Sequence, residues 1–220
     1  MNSKVFKIAF GGAKKQLKPY YHRLQRLLKS YRRFGLKSKD FSIISNNCIG
    51  GYVYQYYGVA YNTPTEGLYF TTEDYLKIIQ RPDYYFKHEV ELIDPKESVL
   101  AKSGRSINHP VGRIDDIEIY FLHYPDSNEA LGKWYRRCSR INYKKLFFLL
   151  SETELMKDGH LQKFSQIVEE GKKGVCLTLK EYKMPHTIYV SNVPKDRGNA
   201  AWRPEIILSS LEWKTILNDL

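Results

Sequence analysis

The chain has 220 residues, 42% hydrophobic and 14% aromatic, which is enough for one sizeable core and allows two small subdomains. No segment approaches the roughly 20 consecutive apolar residues that span a bilayer, and Val5-Phe-Lys-Ile-Ala-Phe10 is too short and interrupted for a secretory signal, so a cytoplasmic protein is expected. The net charge of +11 suggests a nucleic-acid partner until its distribution is read: residues 1–39 hold twelve Lys and Arg and no acid, while the remainder carries 23 basic against 24 acidic residues.

Residues 1–39 therefore read as a basic arm ahead of a domain covering 40–220. Within the arm Leu17, Tyr20, Tyr21, Leu24, Leu27, Leu28 and Tyr31 recur at helical spacing, with Lys18, Arg23, Arg26, Lys29, Arg32 and Arg33 around the rest of the turn. Three readings of this amphipathic helix stay open. Its stripe can pack on the body, it can lie at an anionic membrane surface on the inner face of the cell membrane, or it can engage a polyanion. Nucleic acid is the weakest of these, because no base-stacking motif accompanies the charge.

The segment Phe41-Ser-Ile-Ile-Ser-Asn-Asn-Cys-Ile-Gly-Gly51 follows, in which a short apolar run ends in small polar residues, a cysteine and two glycines. The run suits a buried strand, and Gly50 and Gly51 permit a tight turn or a close backbone approach. A helix is expected from about Tyr52. Cys48 is a candidate nucleophile with His123 or His109 as its base, although small buried cysteines are commonly inert. The other cysteines, Cys138 and Cys176, are distant in sequence, so neither a metal-ligand spacing nor a disulfide framework is present and no metal is expected.

Glu73 to Gln80 reads as a helix capped by Thr72 and ended by Pro82. Around Gly112-Arg-Ile-Asp-Asp-Ile-Glu118 two adjacent carboxylates precede a strand. Their side chains point to opposite sides of an extended chain, so pairing of Asp115 or Asp116 with Arg113 or a helix arginine is expected ahead of metal binding. Further strands are expected at Ile117 to His123, Leu146 to Leu150, Val175 to Leu179 and Ile188 to Ser191. Helices are expected from Asp126 to Arg140, from His160 to Glu170, and after the Ser209-Ser-Leu-Glu212 capping box. The segments Gly58 to Leu68, Pro95 to Arg113 and Asn192 to Pro204 read as irregular. This alternation favours an α/β fold with a mostly parallel central sheet and flanking helices. Small polar residues end several strands (Ser45 to Cys48, His123, Ser151, Ser191), so a parallel sheet would gather them at one edge into a polar crevice. A turn at Met184-Pro-His186 would instead pair the last two strands antiparallel.

On the 126–140 helix, Lys133, Arg136, Arg137 and Arg140 share one face. Such a face can grip phosphate, or it can be a solvated exterior tied by Glu129 and Lys133.

Ser45-Asn-Asn-Cys-Ile-Gly-Gly51, Tyr61-Asn-Thr-Pro-Thr65, Gly67-Leu-Tyr-Phe70, Asp116-Ile-Glu-Ile-Tyr-Phe-Leu-His-Tyr124, Lys133-Trp-Tyr-Arg-Arg137 and Arg140-Ile-Asn142 together resemble the bacterial domain-of-unknown-function 1919 family over roughly Phe41 to Leu220. Ile49 departs from the tryptophan expected in many relatives, a difference of packing beside the loop. The resemblance implies an α/β fold and a place in exopolysaccharide or capsule biosynthesis, and it carries no reaction or cofactor. Combined with the residues, it implies a sugar-modifying or sugar-transferring enzyme, with glycosyl and acyl transfer both open. Cys48, His123 and Asp116 would be catalytic. Asn46, Asn47, Gly50, Gly51, Arg113, Arg136, Arg137 and Arg140 would bind a nucleotide-sugar or a lipid-linked or polymeric glycan. The alternative is a noncatalytic glycan-binding or assembly factor that uses its eighteen tyrosines and three tryptophans as platforms.

Overall fold

The computed structural model of the protein describes residues 20, 23–191, 193 and 202–220. In chain order these form α1 (residues 23–33), β1 (Ser42–Ser45), α2 (Gly50–Tyr57), α3 (Thr72–Gln80), α4 (Pro82–Lys87), β2 (Glu91–Ile93), α5 (Val99–Lys102), β3 (Val111–Ile114) and β4 (Ile117–Tyr120). Then come α6 (Ser127–Cys138), β5 (Leu146–Ser151), α7 (Asp158–Glu169), β6 (Gly174–Thr178), β7 (Thr187–Tyr189), α8 (Pro204–Ser209) and α9 (Trp213–Asn218).

Strands β1, β5, β6 and β7 lie side by side in that order, and all three pairings are parallel. Alternate residues of these apolar strands feed two cores, as expected of a sheet covered on both faces. Ile43, Phe147, Leu149, Val175 and Leu177 pack with residues of α2, α8 and α9. Ile44, Phe148, Leu150 and Cys176 pack with residues of α3, α6 and α7. Trp134 anchors the second core, with its ring 5.8 Å from Phe86 and 6.3 Å from Phe121.

The expected Ile117–His123 strand exists as β4, but it belongs to a second, antiparallel sheet ordered β2-β3-β4. Asp115 and Asp116 form a two-residue turn, with Asp115 at φ 52, so β4 folds straight back on β3. A parallel neighbour would need a long crossover that this turn does not supply. Conversely, the Met184-Pro-His186 segment does not reverse the chain, and β7 runs parallel to β6.

The helix expected from Glu73 starts at Thr72 and is capped by Thr71, whose hydroxyl accepts from Asp74 N at 3.1 Å. Asp126 caps α6 in the same way, accepting from Glu129 N at 2.9 Å. Pro82 ends α3 and also opens α4 at its first turn, where proline's missing N–H costs no hydrogen bond. Ser209 of the expected capping box ends α8, residues 210–212 separate it from α9, and Glu212 caps α9 with no side-chain bond. Most of the irregular 192–204 segment, and Leu17, Lys18 and Tyr21 of the arm, lie outside the described residues.

Helix α1 is the arm's described part, and it meets the body through its cations. Arg33 donates to the carbonyls of Tyr57 at 2.9 Å and Gly58 at 3.1 Å, and the Arg32 guanidinium lies 4.1 Å from the centre of the Tyr56 ring. Gly58 closes α2 in the left-handed region at φ 62, and a Cβ there would meet the Lys29 stem at 2.7 Å. Basic side chains thus sit on the carbonyl end of α2, where orphan C=O groups and the helix dipole favour them. The described residues of the apolar stripe, Tyr20, Leu24, Leu27, Leu28 and Tyr31, are exposed.

Candidate functional site

Cys48 sits between the carboxyl end of β1 and the first turn of α2, in a loop held by its neighbours' polar groups. Asn46 is fully buried and is bonded twice to the Ser151 backbone, giving through Nδ2 to the carbonyl and accepting through Oδ1 from the amide, both at 3.0 Å. Asn47 donates to Ser151 Oγ at 2.9 Å and accepts from Ile49 N at 3.1 Å. Asn46 and Asn47 therefore tie β1 to the end of β5 and fix the position of the sulfur, and Asn47 also lines the cavity on which the sulfur opens. Gly50 and Gly51 are bare because protein groups occupy the space. A Cβ on Gly50 would lie 2.9 Å from Ser45 Oγ, and one on Gly51 would lie 1.6 Å from Glu66 Oε2.

The backbone after β4 brings His123 across from this loop, with its amide held by Gly67 O at 3.0 Å. His123 Nε2 is 4.0 Å from Cys48 Sγ, although the two residues are 75 apart in sequence. They open on a cavity of about 500 Å³. His109 and Arg105 also line it, and Tyr52, Tyr69, Tyr120 and Trp202 supply most of its aromatic wall. Burial lowers the His109 pKa, the hydrogen bond with the Pro110 carbonyl opposes this, and the nearby His123 lowers it further.

Burial raises the Cys48 thiol, the Glu66 carboxylate raises it further, and the residue's own amide opposes them weakly. The resting sulfur is therefore a thiol that needs a base, and His123 is placed to be that base. Glu66 is itself shifted. Burial pushes it from 4.5 to about 7, opposed by Arg137, and its Oε2 has no hydrogen-bond partner among the described residues.

The sign of the resulting pH dependence follows from the raised pKa. Between about pH 4.5 and pH 7 the folded protein keeps a proton on Glu66 that the unfolded chain has lost, so stability falls as pH rises through that window. Glu66→Gln should flatten this fall and be more stable than wild type by up to about 3 kcal/mol at about pH 8, measured by denaturant unfolding. Asp74, also raised by burial, contributes equally to both proteins. Identical pH profiles would show that Glu66 ionises freely.

The remaining residues expected at the site lie elsewhere. Asp116 sits in the β3–β4 turn, where it accepts from Tyr85 Oη at 2.8 Å and pairs with Lys77 at 3.1 Å, and it does not line the cavity. The Tyr85 hydrogen bond is the main cause of its lowered pKa, and the local role is to clamp the turn against α3 and α4. Arg113 is paired with Glu118 at 3.0 Å across the same hairpin. Arg136 is exposed on α6, and Arg140 is exposed in the turn that follows it.

Arg137 is turned inward and buried. It donates to Glu66 O at 2.8 Å and Tyr124 Oη at 2.6 Å and lies 5.3 Å from the centre of the Tyr61 ring. The four cations thus do not form one phosphate-gripping face. Glu66, Arg105 and Trp202 are the cavity residues that sequence reasoning missed: all three lie in segments that read as irregular, and the one local signal is the side-chain-free step at Gly51 beside Glu66. Cys138 and Cys176 are buried and free, and among the described residues no three His, Cys, Asp or Glu side chains are grouped to hold a metal.

The family described as Domain of unknown function (DUF1919) matches residues 20–202. The chain belongs to the DUF1919 family. The chain is also similar to an uncharacterized protein of Haemophilus influenzae, 29% identical over 147 residues. That match covers 67% of this chain and 66% of the relative, so just under two thirds of the relative's length is spanned. The DUF1919 match includes Cys48, Glu66, His109, His123 and Trp202 within its span.

Proposed function

We propose that this DUF1919 protein is a cysteine-dependent group-transfer enzyme that moves an acyl group to or from a hydroxylated substrate in its aromatic cavity. The observation that carries the proposal is Cys48 Sγ lying 4.0 Å from His123 Nε2 at the mouth of that cavity. His123 takes the thiol proton as sulfur attacks the acyl carbonyl, and the donor's leaving group departs with that proton. A substrate hydroxyl then gives its proton to His123 and attacks the thioester, and the departing sulfur is reprotonated. Acyl transfer is preferred to glycosyl transfer from a nucleotide-sugar because Arg137 is committed to Glu66 and Tyr124, and Arg136 and Arg140 face solvent. A glycan acceptor in exopolysaccharide or capsule assembly, on the cytoplasmic side of the membrane, fits the four aromatic rings of the wall and the pathway expected from the resemblance.

Incubation with acyl-coenzyme A and aryl-ester donors should add the acyl mass to Cys48, read by intact and peptide mass spectrometry, and added oligosaccharide should discharge it. A second reading, a noncatalytic glycan binder, is favoured by the same rings. It predicts glycan binding that survives Cys48→Ala together with His123→Ala, and no acylation of the protein by any donor.

A further inference from the structure

We propose that α1 is a docking surface for an anionic lipid bilayer, held on the body by its cationic side so that its apolar side faces outward. Amphipathic helices of folded domains bury their apolar stripe, and this one does the reverse. Leu24, Leu27, Tyr31 and Phe34 are 54%, 61%, 78% and 81% exposed, and Tyr20 and Leu28 extend the same stripe. At 100° per residue these six side chains fall within about one third of the helix circumference. Arg32 and Arg33 are committed to the carbonyl end of α2, and the Lys29 stem lies beside Gly58. The body thus fixes which way the stripe points.

Charge decides the occupant. Residues 1–39 carry twelve cations and no carboxylate. In the described part Arg23 and Arg26 remain exposed on the helix itself. A second copy laid stripe to stripe would bring like charges together, whereas an anionic bilayer offers acyl chains to the stripe and headgroup charge to the cations. Among the described residues no helix is long and apolar enough to cross a membrane, so the contact is one of lying on the surface. Cys48 precedes α2 and α1 contacts the opposite end, roughly 12 Å along an eight-residue helix. A bilayer on α1 would therefore leave the nucleophile outside the lipid.

The test is sedimentation of the full chain with vesicles of phosphatidylcholine alone and of phosphatidylcholine mixed with phosphatidylglycerol, at low and high salt. The expected result is at least about tenfold tighter binding to the anionic vesicles, reduced by about tenfold or more in Leu24→Gln/Leu27→Gln, whose exposed positions leave folding intact, as circular dichroism would verify. Equal binding by the variant would overturn the proposal. So would a wild-type dimer, seen in sedimentation velocity without lipid, that the variant dissolves. Binding to RNA but not to vesicles, unaffected by the variant and lost in salt, would assign the charge to a polyanion and overturn it equally.

Discussion

Cys48→Ala is expected to reduce acyl transfer to background while leaving the fold unchanged. The loop around Cys48 is held by Asn46, Asn47 and Ser45 through bonds to Ser151, Ile49 and Gly50, and none of these uses the sulfur. Removing one half-buried sulfur should shift stability by no more than about 1 kcal/mol. Turnover should vanish, because no other thiol is reachable: Cys138 and Cys176 are buried. His123→Ala should slow the reaction by about 10²- to 10⁴-fold, the range for losing a general base, and lose the least at alkaline pH where the thiol ionises unaided. Alkylation of Cys48 by iodoacetamide should be slow at neutral pH and accelerate with rising pH, since burial and Glu66 both hold its pKa up. Wild-type turnover by Cys48→Ala would remove the nucleophile from the scheme and favour the binding reading.

Arg137→Ala is expected to destabilise the protein by about 3 kcal/mol, the order found when one partner of a buried charged network is deleted. The guanidinium satisfies the Glu66 carbonyl and the Tyr124 hydroxyl, stacks toward Tyr61, and is the cation that opposes the upward shift of Glu66. The Glu66 carbonyl would keep the Tyr124 hydroxyl as a donor at 2.7 Å, but the truncation removes the charged donor to Tyr124 Oη and the cation beside the Glu66 carboxyl. Tyr124→Phe should cost about 2 kcal/mol, because its hydroxyl both donates to Glu66 O and accepts from Arg137. In a Glu66→Gln background Arg137→Ala should cost less, because the carboxylate it neutralises is gone, and a double-mutant cycle by urea unfolding measures that difference. A fully stable Arg137→Ala variant that had lost affinity for a phosphorylated ligand would return Arg137 to the role of substrate cation. The two variants thus separate chemistry from architecture: Cys48→Ala should remove activity at constant stability, and Arg137→Ala should remove stability first.

Much of this protein is written in local pattern. The runs at Ile43–Ile44 and Phe147–Leu150 announce strands buried on both faces, and Asp126 announces the start of α6 because a side-chain oxygen there meets a nearby orphan amide. The loop with Cys48 was legible for the same reason: an apolar run cannot continue through Ser-Asn-Asn-Cys into two glycines. Charge segregation into residues 1–39 needs only counting.

Tertiary structure alone decided the rest. Whether Arg137 points to solvent or inward depends on Glu66 and Tyr124, which are 71 and 13 residues away, and its periodicity on α6 is the same either way. That β4 lies in the small sheet, yet still brings His123 to Cys48, follows from long-range pairing that strand propensity does not encode. The amphipathic pattern of α1 is likewise legible, but the direction of its stripe was set by the free carbonyls at the end of α2. Sequence periodicity specifies which residues share a face, and only the partner across the interface determines whether that face is covered.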